Sequence, residues 1–298
     1  MKTTLTLIKR NIRLFFKDKG MFFTSLITPV ILLVLYATFL GNVYEDSFVS
    51  SLPKGIEVGQ DVIDGLVGGQ LVSSILAVSC VTVAFCSNFL MVQDKANGTV
   101  KDLRISPVKS HILSVSYYVA TLVSTLIICY SALAICFLYL GITGWYLSTA
   151  DVALLVFDVL LLTLFGTALS SVVSFFLSTQ GQISAVGSIV SAGYGFICGA
   201  YMPISSFGEG LQAVVSFLPG TYATSLFRTH ATRGAFEQMV ADGIPRAAVE
   251  GMKDMIDCNI YFFDNSVSEW AMYLILGVSV TVLLVAYILM NKFKRGTK

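Results

Sequence analysis

The sequence predicts an all-α integral membrane protein with six transmembrane helices, an N-terminal amphipathic interfacial helix and a re-entrant outer helix before the last span. Two observations predict this fold. Apolar residues make up 55% of the 298 residues and charged residues only 12%, about half the charged share of an average soluble domain. The apolar residues also form long runs, and about 20 of them in a helix cross a hydrocarbon core roughly 30 Å thick.

Six apolar runs are long enough to be spans. They are Met21–Leu40, Gly69–Val92, Ile112–Leu140, Val152–Leu177, Ile183–Met202 and Glu269–Met290. The first run is longer than the apolar part of a cleaved secretory signal, so we expect it to remain as the first span. The chain therefore divides into a cytoplasmic connecting helix at residues 1–20 and a six-span domain at residues 21–298.

The distribution of basic residues predicts the orientation of these spans. With a cytoplasmic N-terminus, 14 of the 19 Lys and Arg residues fall in cytoplasmic segments and 5 in outer segments. Because the cytoplasmic loops of membrane proteins carry the excess of Lys and Arg, we expect both termini to be cytoplasmic. Leu5–Phe16 places apolar and basic residues on opposite faces at helical spacing, which indicates a helix lying in the cytoplasmic interface. The alternative for this stretch is a solvated basic tail.

The largest loop, residues 203–268, is expected on the outer side. Phe207–Leu218 is apolar but too short to span, and it indicates a re-entrant or interfacial helix. Pro245–Asp257 is predicted to be a short amphipathic helix, because proline suits the first helical position and Val249, Met252 and Ile256 share a face. We expect these two pieces to form a small extracellular cap.

Asp158 is an ionisable residue inside a predicted span, and such acids are candidates for proton relays. It follows Asp151 by seven residues, or about 10 Å of helix, so it would reach the outer headgroup region. A structural or interfacial role is favoured, and a relay stays open. The phosphate-binding pattern GxxxxGK[ST] is absent, so ATP hydrolysis by such a loop is excluded. No catalytic or metal-binding residue is predicted.

Two segments carry a family resemblance. The segment after the second span reads Gln93-Asp94-Lys95-Ala96-Asn97-Gly98-Thr99-Val100-Lys101-Asp102-Leu103-Arg104-Ile105-Ser106-Pro107. It resembles the acid-x-x-x-Gly-Thr-x-x-x-Leu-x-x-[Ser/Thr]-Pro segment of the ATP-binding-cassette type 2 permeases, in which the acid is usually Glu. A second similar element runs from Gly199-Ala-Tyr-Met-Pro203 to Pro219-Gly-Thr221-Tyr222. With the six spans and the basic amphipathic start, the resemblance covers nearly the whole chain.

The resemblance implies a fold like that of the ABCG-type exporters, in which two six-span permeases pair and each sits on a separate ATPase subunit. ATP and Mg would bind to that subunit, and this chain would hold no cofactor. Residues 93–111 would be the cytoplasmic coupling loop, with Thr99 capping a short helix and Pro107 ending it. The residues expected to couple to the ATPase are Asp94, Gly98, Thr99, Lys101, Asp102, Leu103, Arg104 and Pro107.

Stripes of small or polar residues mark either close packing or a cavity wall in membrane helices. In the fifth span we predict that a second permease packs against Gly187, Ser191, Gly195 and Gly199. Between the second and fifth spans of the two copies we predict a substrate path lined by Gln70, Ser74, Asn88, Tyr194 and Tyr201. A similar stripe in the fourth span needs no more than tight packing.

The expected function is that of a permease subunit that moves an amphipathic drug, peptide, lipid or glycan out of the cell. Its partners would be an ABC ATPase subunit, the lipid bilayer and a second permease that is either an identical copy or a paralogue, with no nucleic acid. It would lie in a bacterial inner or cytoplasmic membrane. The alternative is a self-sufficient proton-coupled transporter or a membrane sensor.

Overall fold

The computed structural model describes residues 2–52, 58–105, 108, 110–263 and 265–293. The structure is 85% helical, which confirms the predicted all-α membrane fold. In these ranges the helices are α1 (Lys2–Lys17), α2 (Lys19–Leu35), α3 (Gly41–Ser50), α4 (Gln60–Ala96), α5 (Thr99–Ile105), α6 (Ser110–Thr143), α7 (Thr149–Phe176), α8 (Gln180–Ile197), α9 (Glu209–Val215), α10 (Pro219–Ala241), α11 (Arg246–Met255) and α12 (Glu269–Phe293).

Three short elements complete the fold. A π-helical turn at Tyr36–Leu40 joins α2 to α3 without a break, and a 3₁₀ turn lies at Ile204–Ser206. Two-residue strands β1 (Tyr261–Phe262) and β2 (Asn265–Ser266) pair antiparallel just before α12.

Five helical segments of the described chain are long and apolar enough to cross a membrane. They are Lys19–Ser50, Gln60–Ala96, His111–Thr143, Thr149–Phe176 and Glu269–Phe293, and each coincides with a predicted span. The remaining predicted span, Ile183–Met202, falls on α8, which has 18 residues and begins Gln-Gly-Gln. Because of its glutamines, serines and glycines, α8 is less apolar than these five segments. That α8 also crosses the membrane stays a prediction.

Helix α4 is the centre of the bundle. It has 37 residues, its apolar window is entirely buried, and α2, α6, α7, α8 and α10 all pack against it. A helix that is buried on every side is typical of the core of a membrane bundle. Its polar residues, which include Gln70, Ser74 and Asn88, are therefore enclosed by helices of its own chain.

Helix α10 is a core element that the sequence did not predict. It has 23 residues and packs along α4, α7 and α12. The contact with α4 is close, since a Cβ added at Gly69 would lie 2.6 Å from the carbonyl oxygen of Ala231. The expectation that residues 203–268 form only a small cap is therefore corrected, because this region supplies one of the helices that enclose α4.

The two short helices predicted in the same region are present. Helix α9 lies within the stretch predicted to be re-entrant, and α11 begins one residue after Pro245, which takes the N-cap position. The predicted apolar face of α11 and its flank is buried, with Val249, Met252 and Ile256 at 2% exposure or less.

Helix α1 confirms the predicted amphipathic start as a helix, and it packs against the beginning of α6. Its buried residues are Leu7, Asn11 and Phe15, whereas Leu5 is 66% exposed. The basic residues Lys9 and Arg13 are exposed. This arrangement suits a helix that presents charge to a membrane surface while its other face anchors it to the bundle.

Candidate functional site

The segment that resembles a coupling loop contains the helix α5, as predicted, but its start differs in detail. Gly98 has φ +81°, a backbone conformation that glycine adopts without steric cost. The N–H groups of Lys101 and Asp102 donate to the carbonyl oxygen of Gly98, at 2.8 and 3.3 Å. Gly98 therefore occupies the capping position, and Thr99 is the first helical residue rather than the cap.

One face of α5 is anchored in the chain. Val100 and Leu103 are half-buried and pack against a cluster at the junction of three other helices. That cluster consists of Leu7 of α1, Met91 of α4, and Leu113 and Tyr117 of α6. The cluster fixes the orientation of α5 relative to α1, α4 and α6.

The other face of α5 is exposed. Lys101 and Asp102 lie on it, and Ile105, at 86% exposure, shares this face at i+3 and i+4 spacing. Leu103, for which an outward apolar contact was predicted, packs inwards, and the exposed apolar side chain of α5 is that of Ile105. Arg104 lies in α5, while its side chain and Pro107 lie outside the described part of the chain.

Asp94 joins three helices just before α5. Its carboxylate accepts hydrogen bonds from both terminal nitrogens of Arg10, at 2.8 and 3.4 Å, and from the hydroxyl of Tyr117, at 2.5 Å. Burial opposes the charge of Arg10, but hydrogen bonding and attraction to Asp94 outweigh it and raise the pKa of the guanidinium. Asp94 is 7% exposed, so its contacts lie inside the chain, and its predicted part in coupling to an ATPase stays a prediction.

Lys95 connects the same region to α7. Its Nζ donates to the carbonyl oxygens of Ser174, Phe175 and Leu177, at 2.7, 3.2 and 3.2 Å. Carbonyl groups in the last turn of a helix have no hydrogen-bond partner within that helix. Lys95 therefore supplies donors for carbonyl oxygens at the end of α7 that would otherwise lack a partner. The coupling segment thus contacts α1, α4, α6 and α7.

The predicted path residues of α4 lie inside one subunit. Gln70, Ser74 and Asn88 are at most 1% exposed. The Nδ2 of Asn88 donates to the hydroxyls of Ser170 and Ser171 of α7, both at 3.1 Å, which gives Asn88 a packing role. Among the described residues the amide of Gln70 finds no hydrogen-bond partner. The prediction that these three residues line a path between two copies is therefore corrected, because their side chains do not reach the surface of the subunit in this conformation.

The small residues of α8 also face their own chain. The ring of Tyr201 lies over Gly195, where an added Cβ would come within 2.3 Å of it. The Tyr201 hydroxyl donates to the carbonyl oxygen of Ser191 at 3.3 Å, and the hydroxyl of Tyr194 lies against Gly220 of α10. Gly195 is therefore covered within its own chain, whereas Gly187 and Ser191 line an open groove, and packing of a second permease against them stays a prediction.

Gly199 forms part of a buried latch that the sequence did not reveal. It has φ +76°, and its carbonyl oxygen accepts a hydrogen bond from Arg228, whose side chain is 1% exposed. Arg228 also pairs with Asp257 at 3.1 Å. The Asp257 carboxylate accepts the backbone N–H groups of Ile204 and Ser205, at 2.5 and 3.1 Å. These contacts join α10 to the segment that follows α8 and to Asp257, which follows α11.

A groove of about 570 Å³ opens between α2, α4 and α8. Its apolar walls include Met21 and Phe89, and Gly187 lies against the Phe89 ring, 3.2 Å from an added Cβ. Ser184 and Ser188 add exposed hydroxyls on the α8 side. Apolar walls with a few polar groups are typical of ligand sites, so this groove has the composition that was expected of the predicted path.

Asp158 has partners for both of its carboxylate oxygens. One accepts the hydroxyl of Tyr273 of α12 at 2.7 Å, and the other lies 2.6 Å from Nδ1 of His230 of α10. The side chain of His230 is fully buried. The structure thus brings Asp158 and His230 together from helices that are far apart in sequence, and it favours the structural role expected for Asp158.

A second set of charges extends this contact towards the ends of α7 and α12. Arg233 of α10 donates to Asp151 at 3.2 Å and to Glu269 at 2.9 Å. Another oxygen of Glu269 lies 3.6 Å from Nε2 of His230. The network holds α10 against both helices, and its members come from three separate stretches of sequence, so no local pattern could have revealed it.

Comparison with known proteins agrees with this architecture. The family model described as ABC-2 type transporter matches residues 2–230, a range that includes α1, the coupling segment and most of α10. No curated protein matches the chain. The family match covers more than half of the chain, and the helical membrane bundle is the fold that the family resemblance implies. The chain therefore belongs to the ABC-2 type transporter family.

Proposed function

We propose that this chain is the permease subunit of an ATP-driven exporter and works with a separate ABC ATPase subunit. The face of α5 formed by Lys101, Asp102 and Ile105 would be the docking surface for that subunit. It carries two opposite charges and an apolar side chain that is 86% exposed. In this account α1, α5 and both chain termini lie on the cytoplasmic side, where ATP is available.

The anchoring of α5 is the observation that carries the proposal. The same short helix is exposed on one face and held on the other by Leu103, and the preceding residues Asp94 and Lys95 reach α1, α6 and α7. A displacement imposed on α5 would therefore be passed to four helices. An ordinary solvated loop would not be expected to make these ion-pair, hydrogen-bond and packing contacts with the rest of the bundle.

We propose further that a second permease faces the groove between α2, α4 and α8. The α8 surface beside this groove exposes Gln180, Ser184 and Ser188, and polar side chains of this kind are costly against lipid tails. A second copy would cover them and would close the groove into a cavity with mixed polar and apolar walls. Such a cavity suits amphipathic cargo, a class that includes drugs, peptides, lipids and glycans.

Cysteine crosslinking tests this pairing. The six native cysteines are all buried, so an introduced surface cysteine dominates the reaction. Oxidation of Ser188→Cys should link two permeases, whereas Val282→Cys, on an exposed position of α12, should not. Crosslinking of the α12 variant alone would contradict the proposed pairing.

A second candidate function rests on the Asp158–His230 contact. A buried acid beside a buried histidine is a combination that proton-coupled transporters use, and the chain would then work without an ATPase. Both carboxylate oxygens of Asp158 already have partners, His230 and Tyr273, which favours a structural contact over a proton relay. Export that requires ATP and continues after the proton gradient is removed would reject this candidate.

The direct test of the proposed function is purification of the tagged full chain from its native membrane. An ATPase with a nucleotide-binding loop should co-purify, and reconstitution of the complex should give ATP hydrolysis that transported compounds stimulate. Recovery of a fully active transporter that contains no ATPase would contradict the proposal.

A further inference from the structure

A second cavity lies between α6 and α12, away from the groove and from α5. Its volume is about 420 Å³, and it lies between the first turns of α6 and the last turns of α12. The hydroxyl of Ser114 donates to Asn291 across the two helices at 2.8 Å. The volume is within the range of small-molecule sites. The proposed transport path does not use this cavity, and of the coupling loop only its last residue, His111, lines it.

The cavity is apolar along its length and has a lysine and a histidine at its mouth. Val115, Leu284 and Ile288 form the apolar wall, and His111 and Lys292 lie at the end nearest the two helix termini. Val115 is 48% and Ile288 62% exposed, so the cavity opens on the outer surface of the bundle. A membrane protein meets lipid at such a surface.

The sequence at the end of α12 is basic. Among the residues that the structure describes, Lys292 forms no ion pair, and the sequence continues with Lys294, Arg295 and Lys298. Basic residues at the cytoplasmic surface attract anionic lipids, each contributing about 1 kcal/mol. An anionic headgroup therefore complements the mouth of the cavity.

Tyr118 supplies a polar group deeper in the same cavity. Its hydroxyl is buried and has no hydrogen-bond partner among the described residues, and leaving such a donor open costs free energy. Tyr118 follows His111 by seven residues, or about 10 Å along the helix. A phospholipid has ester oxygens below its phosphate, so one molecule can meet Lys292 with its phosphate and Tyr118 with an ester.

We propose that the cavity between α6 and α12 is a binding site for one anionic phospholipid of the cytoplasmic leaflet. The phosphate contacts Lys292 and His111, an ester oxygen accepts the Tyr118 hydroxyl, and an acyl chain follows Val115, Leu284 and Ile288. The apolar wall distinguishes this ligand from a free inorganic anion, which would leave the wall exposed. The site does not depend on the proposed export activity, but its assignment to the cytoplasmic leaflet rests on the proposed orientation.

The test is native mass spectrometry of the full chain with its co-purifying subunits, titrated with phosphatidylglycerol and, separately, with phosphatidylcholine of the same acyl chains. Phosphatidylglycerol should bind more tightly. Lys292→Gln should weaken phosphatidylglycerol about fivefold, because the loss of one contact of about 1 kcal/mol corresponds to that factor. It should weaken phosphatidylcholine less, because the choline cation already offsets the charge of its phosphate. Tyr118→Phe should weaken both lipids by up to about tenfold, because both carry esters.

The matched control is Lys9→Gln, which removes one exposed positive charge from α1. It should leave binding at this site unchanged. The proposal is overturned by equal affinity for the two lipids, by an equal loss of affinity in Lys9→Gln and Lys292→Gln, or by displacement of the bound lipid with inorganic phosphate. Because Lys292 is exposed and phenylalanine keeps the aromatic ring of Tyr118, the variants retain the fold.

Discussion

Arg10 of the N-terminal helix holds the carboxylate of Asp94 with two hydrogen bonds, of 2.8 and 3.4 Å, across 84 residues of sequence. This contact fixes the amphipathic helix to the last turns of the central helix α4, immediately before α5. In the proposed exporter, α1 and α5 therefore move as one unit. A displacement of α5 by an ATPase would therefore move α1 and α4 together, because the Arg10–Asp94 contact holds α1 against α4.

The first prediction concerns this contact. Arg10→Leu should lower the free energy of unfolding by about 1–3 kcal/mol, because a buried carboxylate loses a charged hydrogen-bond donor. The double variant Arg10→Leu/Asp94→Leu should recover part of the loss. Thermal unfolding of the purified protein measures both. Arg13→Leu is the matched control, since Arg13 is exposed on the same helix, and equal effects of the Arg10 and Arg13 changes would contradict the prediction.

The second prediction concerns orientation. Lys101 and Arg246 are both exposed, and the 14 to 5 distribution of basic residues predicts that they lie on opposite sides of the membrane. A membrane-impermeant thiol reagent added to intact cells should label Arg246→Cys and not Lys101→Cys. Both should be labelled after the membrane is opened. Labelling of Lys101→Cys in intact cells would reverse the proposed orientation.

The third prediction separates packing within the subunit from packing between subunits. Gly195→Leu should destabilise the single subunit by about 1–3 kcal/mol, the usual cost of overpacking, because its side chain meets the Tyr201 ring. Gly193 on the same helix has nothing within 4 Å of an added Cβ, so Gly193→Leu is the matched control. Thermal unfolding should detect the difference. A subunit with unchanged stability that loses only its pairing would restore the predicted seam.

The fourth prediction concerns Asp158. Asp158→Ala should cost about 3–5 kcal/mol, because it removes one member of a buried pair with His230, whereas Tyr273→Phe should cost only about 1 kcal/mol for one hydrogen bond. Thermal unfolding measures both. Export by the surviving folded Asp158→Asn protein should retain its dependence on ATP and its pH profile. A well-folded Asp158→Asn protein with an altered pH profile would favour the proton relay.

Much of the fold was readable from the sequence because lipid imposes a length and a polarity on each span. The apolar runs located five helices, and the glycine in Asp94–Pro107 located the start of a short helix. The sequence could not assign the two faces of α5, because Val100, Leu103 and Ile105 are all apolar. Only the cluster around Leu7 and Tyr117 shows that Leu103 points inwards.

Helix α10 was missed because its polarity resembles that of an outer loop. Arg228 and His230 are charged or polar residues that a hydropathy pattern assigns to solvent, yet both are fully buried. Their partners, Asp257 and Asp158, lie 29 and 72 residues away. Burial of this kind depends on pairing across the fold, and a single sequence does not encode it in any local spacing.

The polar stripe of α4 shows the same limit. Gln70, Ser74 and Asn88 share a helix face, a pattern that fits either a cavity wall or close packing. The choice depends on which helices surround α4, and α2, α6, α7, α8 and α10 all pack against it. The hydrogen bonds from Asn88 to α7 decide for packing in this conformation.

The central claim is that the exposed face of α5 couples the permease to an ATPase. Ile105→Asp tests it, because an unpaired charge buried on docking opposes the contact and should weaken it at least about tenfold. Ile142→Asp is the matched control, since Ile142 is 87% and Ile105 86% exposed, and Ile142 ends α6 away from α5. Leu103→Asp, by contrast, should destabilise the subunit itself, because Leu103 packs inwards.

The deciding measurement is substrate-stimulated ATP hydrolysis by the reconstituted complex, together with the amount of ATPase subunit that co-purifies. The account predicts that Ile105→Asp folds normally, retains little ATPase subunit and shows no stimulation, while Ile142→Asp behaves like the parent protein. Normal docking and normal stimulated hydrolysis in Ile105→Asp would show that this face of α5 is not the coupling surface.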